Sequence, residues 1–312
     1  MPTRFVVISD THFYTPGAAG ADSTFWNRAL QTQSHRIGEC LIDTVRRVSP
    51  DFVIHCGDVT GLCDLENWSL ACQIMDSLPC PWYAALGNHD TWYPGVRDAF
   101  SLRFKLPRGQ GHYRRDLGGI SFLFLDLVHW HDQRGGISPY RDPYESGQKP
   151  RMGASQEELP WLEAELAACA GRPVVLVSHP PLAFSASYPV ASWPQELLRS
   201  DAGNLAAAFG EVGGRQAILE TVRRYPNVKA AFAGHWHIHD ATRQSGITHC
   251  QTASLREFPF EMRVVEVHPS RMAITTESLD DPSFASTSYV PAWNNDWVAG
   301  GPAVRSLTLR LD

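Results

Sequence analysis

No stretch of 18 consecutive apolar residues occurs in the chain, so nothing in it reads as a membrane span. The apolar run Phe5-Val6-Val7-Ile8 begins close to the N-terminus but is too short for the core of a secretory signal. A soluble, cytoplasmic protein is the expectation. A basic excess is also missing. Net charge is −6 and no run of Lys and Arg stands out, which argues against a broad face for duplex nucleic acid. Anionic small molecules stay compatible, because bound cations offset local negative charge. The seven cysteines (Cys40, Cys56, Cys63, Cys72, Cys80, Cys169 and Cys250) form no CxxC pair and are odd in number. That pattern fits reduced, mostly buried thiols in a cytosolic protein. No internal repeat of fixed period is visible. With 43% hydrophobic and 19% charged residues, the composition allows a core of several layers. A length of 312 residues suits a single α/β domain with insertions.

What is present is an alternation of short apolar strands and helices. Strands are expected at 5–9, 52–55, 82–86, 120–125, 174–177 and 228–232. Helices are expected at 25–48, where Leu30, Ile37, Leu41, Val45 and Val48 recur at helical spacing, and at 64–77, 156–170 and 215–225. Residues 94–118, 129–155 and 180–214 lack periodicity and read as loops. Beyond residue 245 the pattern alternates like antiparallel strands, near 247–253, 262–268 and 271–277. Strands alternating with helices give an α/β layered fold, which places ligands at strand ends.

Five polar clusters each follow one of these strands: Asp10-Thr11-His12, Gly57-Asp58, Gly87-Asn88-His89-Asp90, Ser178-His179-Pro180 and Gly234-His235-Trp236-His237. Strands of a parallel sheet point one way, so residues just past their C-terminal ends converge on one crevice. Three carboxylates, one amide and five imidazoles gathered there could bind metal, and such hard oxygen and imidazole donors suit Mn, Fe or Zn. The spacing in Asp-x-His and His-x-His puts both side chains on one side of an extended segment. Each cluster alone is an ordinary turn or capped strand end; the five together, each after a strand, are not.

As a set, these motifs resemble the signature of the calcineurin-like metallophosphoesterases, over residues 10 to 237. The resemblance implies a four-layer α-β-β-α sandwich with two mixed sheets. It implies a catalytic core at 1–250, with 251–312 completing the second sheet and adding a tail that carries Trp293 and Trp297. By the same resemblance, Asp10, His12 and His237 hold a first metal, and Asn88, His179 and His235 a second. Asp58 bridges them. His89 faces the substrate, and Asp90 stands behind it to orient the imidazole. The implied chemistry is hydrolysis of a phosphate ester by a metal-bound hydroxide, with two divalent or mixed-valence ions, Mn or Fe foremost and Zn as the other choice, about 3.5–4 Å apart.

The unbroken Asn88-His89-Asp90, the Gly135-Gly136-Ile137 loop and the later Glu158-Leu159-Pro160-Trp161-Leu162-Glu163 resemble the cyclic-nucleotide and glycerophosphodiester hydrolases of that family. Asp58 is followed by Val59, Thr60 and Gly61, without the Tyr of purple acid phosphatases. A small-molecule phosphodiesterase is therefore the expectation. The alternatives are a broad-specificity phosphomonoesterase, then a nuclease or a non-catalytic scaffold. His129, His131 and Arg134 are candidate substrate contacts, as are Arg141 and Arg151 in the same loop. His55 reads as a core residue, His239 as surface loop and Cys56 as strand packing. Residues 254–268 and the tail either cap the site, exchange between subunits of a homodimer, or pack on their own domain.

Overall fold

The computed structural model of the chain describes residues 2–18, 20, 22, 29–132, 135–140, 151–169, 171–183, 212–291 and 296–311. In chain order the elements are β1 (Thr3–Ile8), α1 (Ser34–Val48), β2 (Phe52–His55), α2 (Leu65–Asp76), β3 (Trp82–Ala84) and α3 (Val96–Arg103). Next come β4 (Tyr113–Leu117), β5 (Ile120–Phe124), β6 (His129–His131), β7 (Ile137–Ser138), β8 (Arg151–Gly153), α4 (Glu158–Ala168) and β9 (Val174–Val177). The rest are α5 (Arg215–Val222), β10 (Val228–Ala233), β11 (Asp240–Gln244), β12 (Ile247–Gln251), β13 (Glu261–His268), β14 (Arg271–Ser278), α6 (Pro282–Ser288), the short helices α7 (Asp296–Ala299) and α8 (Pro302–Arg305), and β15 (Ser306–Arg310).

Two six-stranded mixed sheets form the core, ordered β15-β14-β13-β1-β2-β3 and β11-β12-β10-β9-β5-β4. Strands buried on both faces read as continuous apolar runs, and β1, β2 and β9 do so. Alternation then decides which sheet each side chain meets. Phe5 of β1 stacks on Phe52 of β2 at 5.1 Å and meets Phe122 of β5 and Phe232 of β10 edge-on, at 5.3 and 6.1 Å. These rings join the two sheets face to face. On the far side of the second sheet, Leu123, Val174 and Leu176 pack on Leu162 and Leu166 of α4 and Ile218 and Val222 of α5. α1 and α2 cover the first sheet through Ile37, Leu41, Val45, Ala71 and Met75. Helices outside two sheets give the four-layer sandwich.

Several loop expectations are corrected. The 94–118 stretch holds α3 and β4, and 129–155 contributes β6, β7 and β8 to a small third sheet. These elements are too short for periodicity to declare them. The first long helix begins at Ser34 rather than at 25. His239, expected on the surface, is buried: its N–H donates to Val298 O at 2.9 Å and its Nδ1 accepts from Ala253 N–H at 3.3 Å. The C-terminal residues return over it, a contact no local pattern encodes. β13 and β14 extend the sheet of β1, and β15 pairs with β14 of the same chain. Trp293 lies outside the described residues.

A buried polar seam lies behind the end of β5. Arg97 of α3 is fully buried and paired with Asp126. The Asp126 N–H donates to Glu158 Oε1 at 3.1 Å, and Glu158 Oε2 meets His112 Nδ1 at 2.9 Å. His112 in turn stacks on Trp161 at 4.5 Å. Arg97→Met strands the Asp126 carboxylate, and denaturant unfolding should show a loss of about 3–5 kcal/mol. The double variant Arg97→Met/Asp126→Leu should lose less than the single one. Burial opposes protonation of His112, but the Glu158 contact outweighs it and raises the imidazole, while burial pushes Glu158 up to about 7. Both groups hold protons more tightly when folded. The contribution of Glu158 is complete below its unfolded value of 4.5 and is lost as pH climbs through about 7, and that of His112 is complete below 6.5 and lost above its raised value. The urea midpoint of the wild type should therefore fall as pH rises from about 4.5 through about 7, more steeply than that of Glu158→Gln.

Candidate metal centre

All five polar clusters sit at C-terminal strand ends, and the two sheets share the work. Asp10 and His12 follow β1, Asp58 follows β2, and Asn88, His89 and Asp90 follow β3. His179 follows β9, and His235 and His237 follow β10. Cross-links hold the ends in register: Asp10 N–H donates to Gly57 O at 3.1 Å, His12 N–H to Asp58 O at 3.0 Å, and Gly234 N–H to His179 O at 3.0 Å. Asp10, His12, Asp58, His235 and His237 all have left-handed backbones, with φ of 52°, 42°, 55°, 72° and 56°. For residues with a Cβ this conformation is strained, and such strain persists where surrounding structure enforces it, characteristically at functional sites. Glycines admit the close approaches. Gly57 has φ 94°, and a Cβ there would lie 2.8 Å from the His179 ring. A Cβ at Gly234 would overlap the Ser9 hydroxyl and the Asp10 carboxylate.

The side chains meet at short range. His237 Nε2 lies 3.1 Å from Asp10 Oδ1 and 3.3 Å from His12 Nε2. Asp58 Oδ2 faces both halves of the cluster, 3.6 Å from His12 Nε2 and 3.3 Å from His179 Nε2. His179 Nε2 is also 2.9 Å from Asn88 Oδ1 and 3.1 Å from His235 Nδ1. Outer contacts fix which ring nitrogen faces inward. His179 Nδ1 donates to Cys56 O at 2.9 Å, leaving Nε2 to the cluster, and His237 Nδ1 is held by the Glu257 carboxylate.

Burial puts strong demands on these charges. It opposes ionisation of Asp10 and Asp58, yet His237 and His179 for the first, and His179 and His89 for the second, overcome it and hold both carboxyls below their ordinary values. Burial likewise opposes the cationic form of His179 and His237. Asp58 and Asp10 raise His179 to about 9, and Glu257 and Asp10 raise His237 to about 10. Burial wins at His235, which falls to about 3 with His179 beside it, and at His12 and His89, which are lowered as well. Two buried carboxylates thus draw positive charge into a pocket of lone pairs, and divalent cations supply it as protons do.

The donor set fits metal ions on geometry alone. Asp10 Oδ1 is buried without a hydrogen-bond partner. Donor atoms of Asp10, His12 and His237, and of Asp10, Asp58 and His179, lie within 4.8 Å of one another. Nitrogens about 3 Å apart with lone pairs facing one centre have the spacing of two ligands on one ion with bonds of about 2.0–2.2 Å.

The remaining expected residues are placed less uniformly. His89 lies against this group, its ring 4.6 Å from that of His12. Its N–H donates to Asp58 Oδ1 at 2.7 Å, and its Nδ1 faces Gly61 O at 3.1 Å. Asp90 does not orient that imidazole. Its oxygens accept from the N–H groups of Val59, Thr60 and Gly87 at 3.2, 3.0 and 2.9 Å and from the Thr60 hydroxyl at 2.9 Å. It ties the β2 and β3 loops together, because the chain turns its side chain back under Gly87. Burial, with Asp58 nearby, pushes its carboxyl up to about 6. His129 turns its Nδ1 toward Asp126, at 3.6 Å, and His131 Nε2 meets Ala154 O at 2.9 Å, so these two nitrogens are engaged away from the ligand cluster. Arg134 and Arg141 lie outside the described residues. His55 is a core residue, 3.0 Å from Thr11 Oγ1. Cys56 packs in the strand end with its thiol pushed well up by burial. Glu257 was not anticipated. It lies beyond the last of the five polar clusters, in the 254–268 stretch that carries no motif.

A family description, calcineurin-like phosphoesterase, matches residues 3–239. The chain is 25% identical over 187 residues to a probable cyclic nucleotide phosphodiesterase of Fibrobacter succinogenes, covering 60% of this chain and 57% of that protein. It thus spans a little over half the length of that relative. It is 24% identical over 237 residues to a probable glycerophosphodiester phosphodiesterase of Arcobacter nitrofigilis, covering 74% of this chain and 71% of that one. Among solved structures, a dimetal phosphatase from Danio rerio matches with a TM-score of 0.66 at 15% identity over the whole of both chains, a likeness of fold.

Metal binding should stabilise the folded chain. Adding Mn²⁺ to chelator-treated protein at about a hundredfold its dissociation constant should contribute about 2.7 kcal/mol, seen as a raised thermal midpoint. Asp58→Ala should abolish most of that increase.

Proposed function

The chain belongs to the calcineurin-like phosphoesterase family, and on that premise we propose that it is a dinuclear phosphodiesterase acting on small molecules of the cyclic-nucleotide or glycerophosphodiester type. The observation that carries the metal-dependent reading is the convergence of inward-facing donors around one shared carboxylate, Asp58. The diester preference is supported by the names of the two curated relatives and by the unbroken Asn88-His89-Asp90.

Asp10, His12 and His237 would hold one cation and Asn88, His179 and His235 the other, with Asp58 serving both. Bound there, the pair supplies an ionised water as nucleophile and neutralises charge on the phosphoryl oxygens. Oxygen with imidazole donors suits Mn, Fe or Zn. In this reading His89 meets the leaving group: with Nδ1–H committed to Gly61 O, Nε2 is the nitrogen left to face the departing oxygen, and it gives up a proton there only from the imidazolium form. Trp92, whose ring lies 4.2 Å from that of His89, keeps the imidazole at a fixed tilt. Asp90 acts at one remove by clamping the loops that carry Asp58 and Asn88. No helix among the described residues is long and apolar enough to cross a membrane.

The test compares a nitrophenyl diester with the matching monoester after reconstitution with Mn²⁺. The diester should turn over faster. Asp58→Ala should abolish activity on both, and His89→Gln should lower kcat by about 10²–10⁴. Faster monoester turnover would make the protein a phosphomonoesterase, and undiminished rates in Asp58→Ala would remove the dinuclear reading.

A further inference from the structure

At the end of the sandwich away from the ligand cluster, the edges of the two sheets enclose a cavity of about 930 Å³. β11 and β15 are terminal strands of their sheets, and each pairs on one side only. Consecutive residues of both line the cavity, Ala241 to Arg243 and Leu307 to Arg310, so strand edges with main-chain groups outside the ladders face it. The gap is held from behind. The buried Arg263 guanidinium donates to Asp240 O at 3.1 Å, where β11 begins, and to Val304 O at 2.8 Å, two residues before β15. A two-residue turn, Ser245-Gly246, with φ of 56° and 81°, closes the β11–β12 hairpin at the rim. β10 runs between this cavity and the metal centre. Lys229, its second residue, lines the cavity, and His235 follows its other end, about 20 Å away at a rise of about 3.3 Å per residue.

The charged side chains around the cavity are all of one sign. Arg223 at the end of α5, Lys229, Arg243 and Arg310 line it, and no Asp or Glu does among the described residues, although acids outnumber Lys and Arg in the chain. Arg223 and Arg243 are exposed, and neither is ion-paired with a described residue. Cations on sheet edges discourage pairing with another chain. That accounts for Arg243 and Arg310 but not for Arg223 and Lys229, which belong to a helix end and an inner strand. Charges of one sign on low-dielectric walls raise the local concentration of counter-ions. We propose that this cavity is a binding site for a small polyphosphate anion, separate from the metal centre. Arg223 and Arg243 hold its phosphates, since the planar guanidinium fork matches phosphate oxygens bidentately. The volume suits a ligand of nucleotide size. The half-buried Tyr225 ring on the same wall gives a face on which a base can stack.

The experiment is calorimetric titration of the full Mn²⁺-loaded chain, and of Asp58→Ala, with ATP and with inorganic tripolyphosphate, each as its Mg²⁺ complex, and with adenosine. Both polyphosphates should bind the two proteins at a common site, and adenosine should bind far more weakly. Arg223→Gln/Arg243→Gln should weaken that binding about tenfold or more, with its thermal midpoint and its rate on a nitrophenyl diester unchanged. ATP binding more tightly than tripolyphosphate, with the difference removed by Tyr225→Ala, would identify the ligand as a nucleotide. Equal affinities would identify it as the phosphate chain alone. The site is overturned if neither polyphosphate binds or if adenosine binds as well as ATP. It is overturned too if binding disappears in Asp58→Ala and is unchanged in the double arginine variant, because the anion then sits at the metal centre. Binding is read in Asp58→Ala without turnover, so a chain inactive on diesters would end the diesterase reading and leave this test intact. Should the double variant not fold, the two single variants decide by the same comparison.

Discussion

Two carboxylates, Asp10 and Asp58, are withdrawn from water among imidazoles at the seam of two sheets, and the rest of the site is arranged around that buried negative charge. An ionised carboxylate in a protein interior is tolerated only where opposite charge and hydrogen bonds face it. Ser9 Oγ and the His235 N–H supply hydrogen bonds to Asp10, and the His89 N–H supplies one to Asp58. The histidines supply the lone pairs through which protons or metal ions bring the balancing charge. Their geometry also accounts for the strained backbone. Side chains from parallel strand ends can turn inward within two residues only if the chain twists sharply, and five of the ligand positions take up left-handed φ to do so.

The strain is held from outside the motifs. β13 runs antiparallel to β1 along Thr3–Val7, and buried Arg263 of β13 donates to Gln251 O, Asp240 O and Val304 O. One side chain thereby joins the two sheets near their edges and the returning C-terminal residues. Between β12 and β13, residues 252–257 are left against the ligand loops, where Ser254 and Leu255 hold the main chain of Ser9 and Asp10 and Glu257 sets the orientation of His237. The family description ends at residue 239, yet the site draws part of its wall from beyond that point.

Much of this was legible in the chain itself. The layered α/β class follows from apolar runs alternating with helical periodicity. The convergence of Asp10, His12, Asp58, Asn88, His179, His235 and His237 follows from their positions just past strands of one direction. The helices at 64–77, 156–170 and 215–225 appear within a few residues of those spans. Less was legible where an element is short or its partner distant. α3 spans too few turns for a periodic signal, and β6 to β8 are too short to alternate. Asp90 looked like a partner for the adjacent His89, but its oxygens turn to three backbone N–H groups of two loops.

The sequence by itself determined which donors exist, their order and their attachment to strand ends, because those depend on period and spacing over a few residues, where backbone geometry leaves few choices. Only the tertiary structure decided that Glu257 grips His237, that Arg256 lies over Tyr14, that His239 is buried and that His131 turns to the Ala154 carbonyl. Each of these joins residues whose proximity depends on how the two sheets close on one another and where the C-terminal strands return, and packing of the whole chain, rather than local preference, sets that distance.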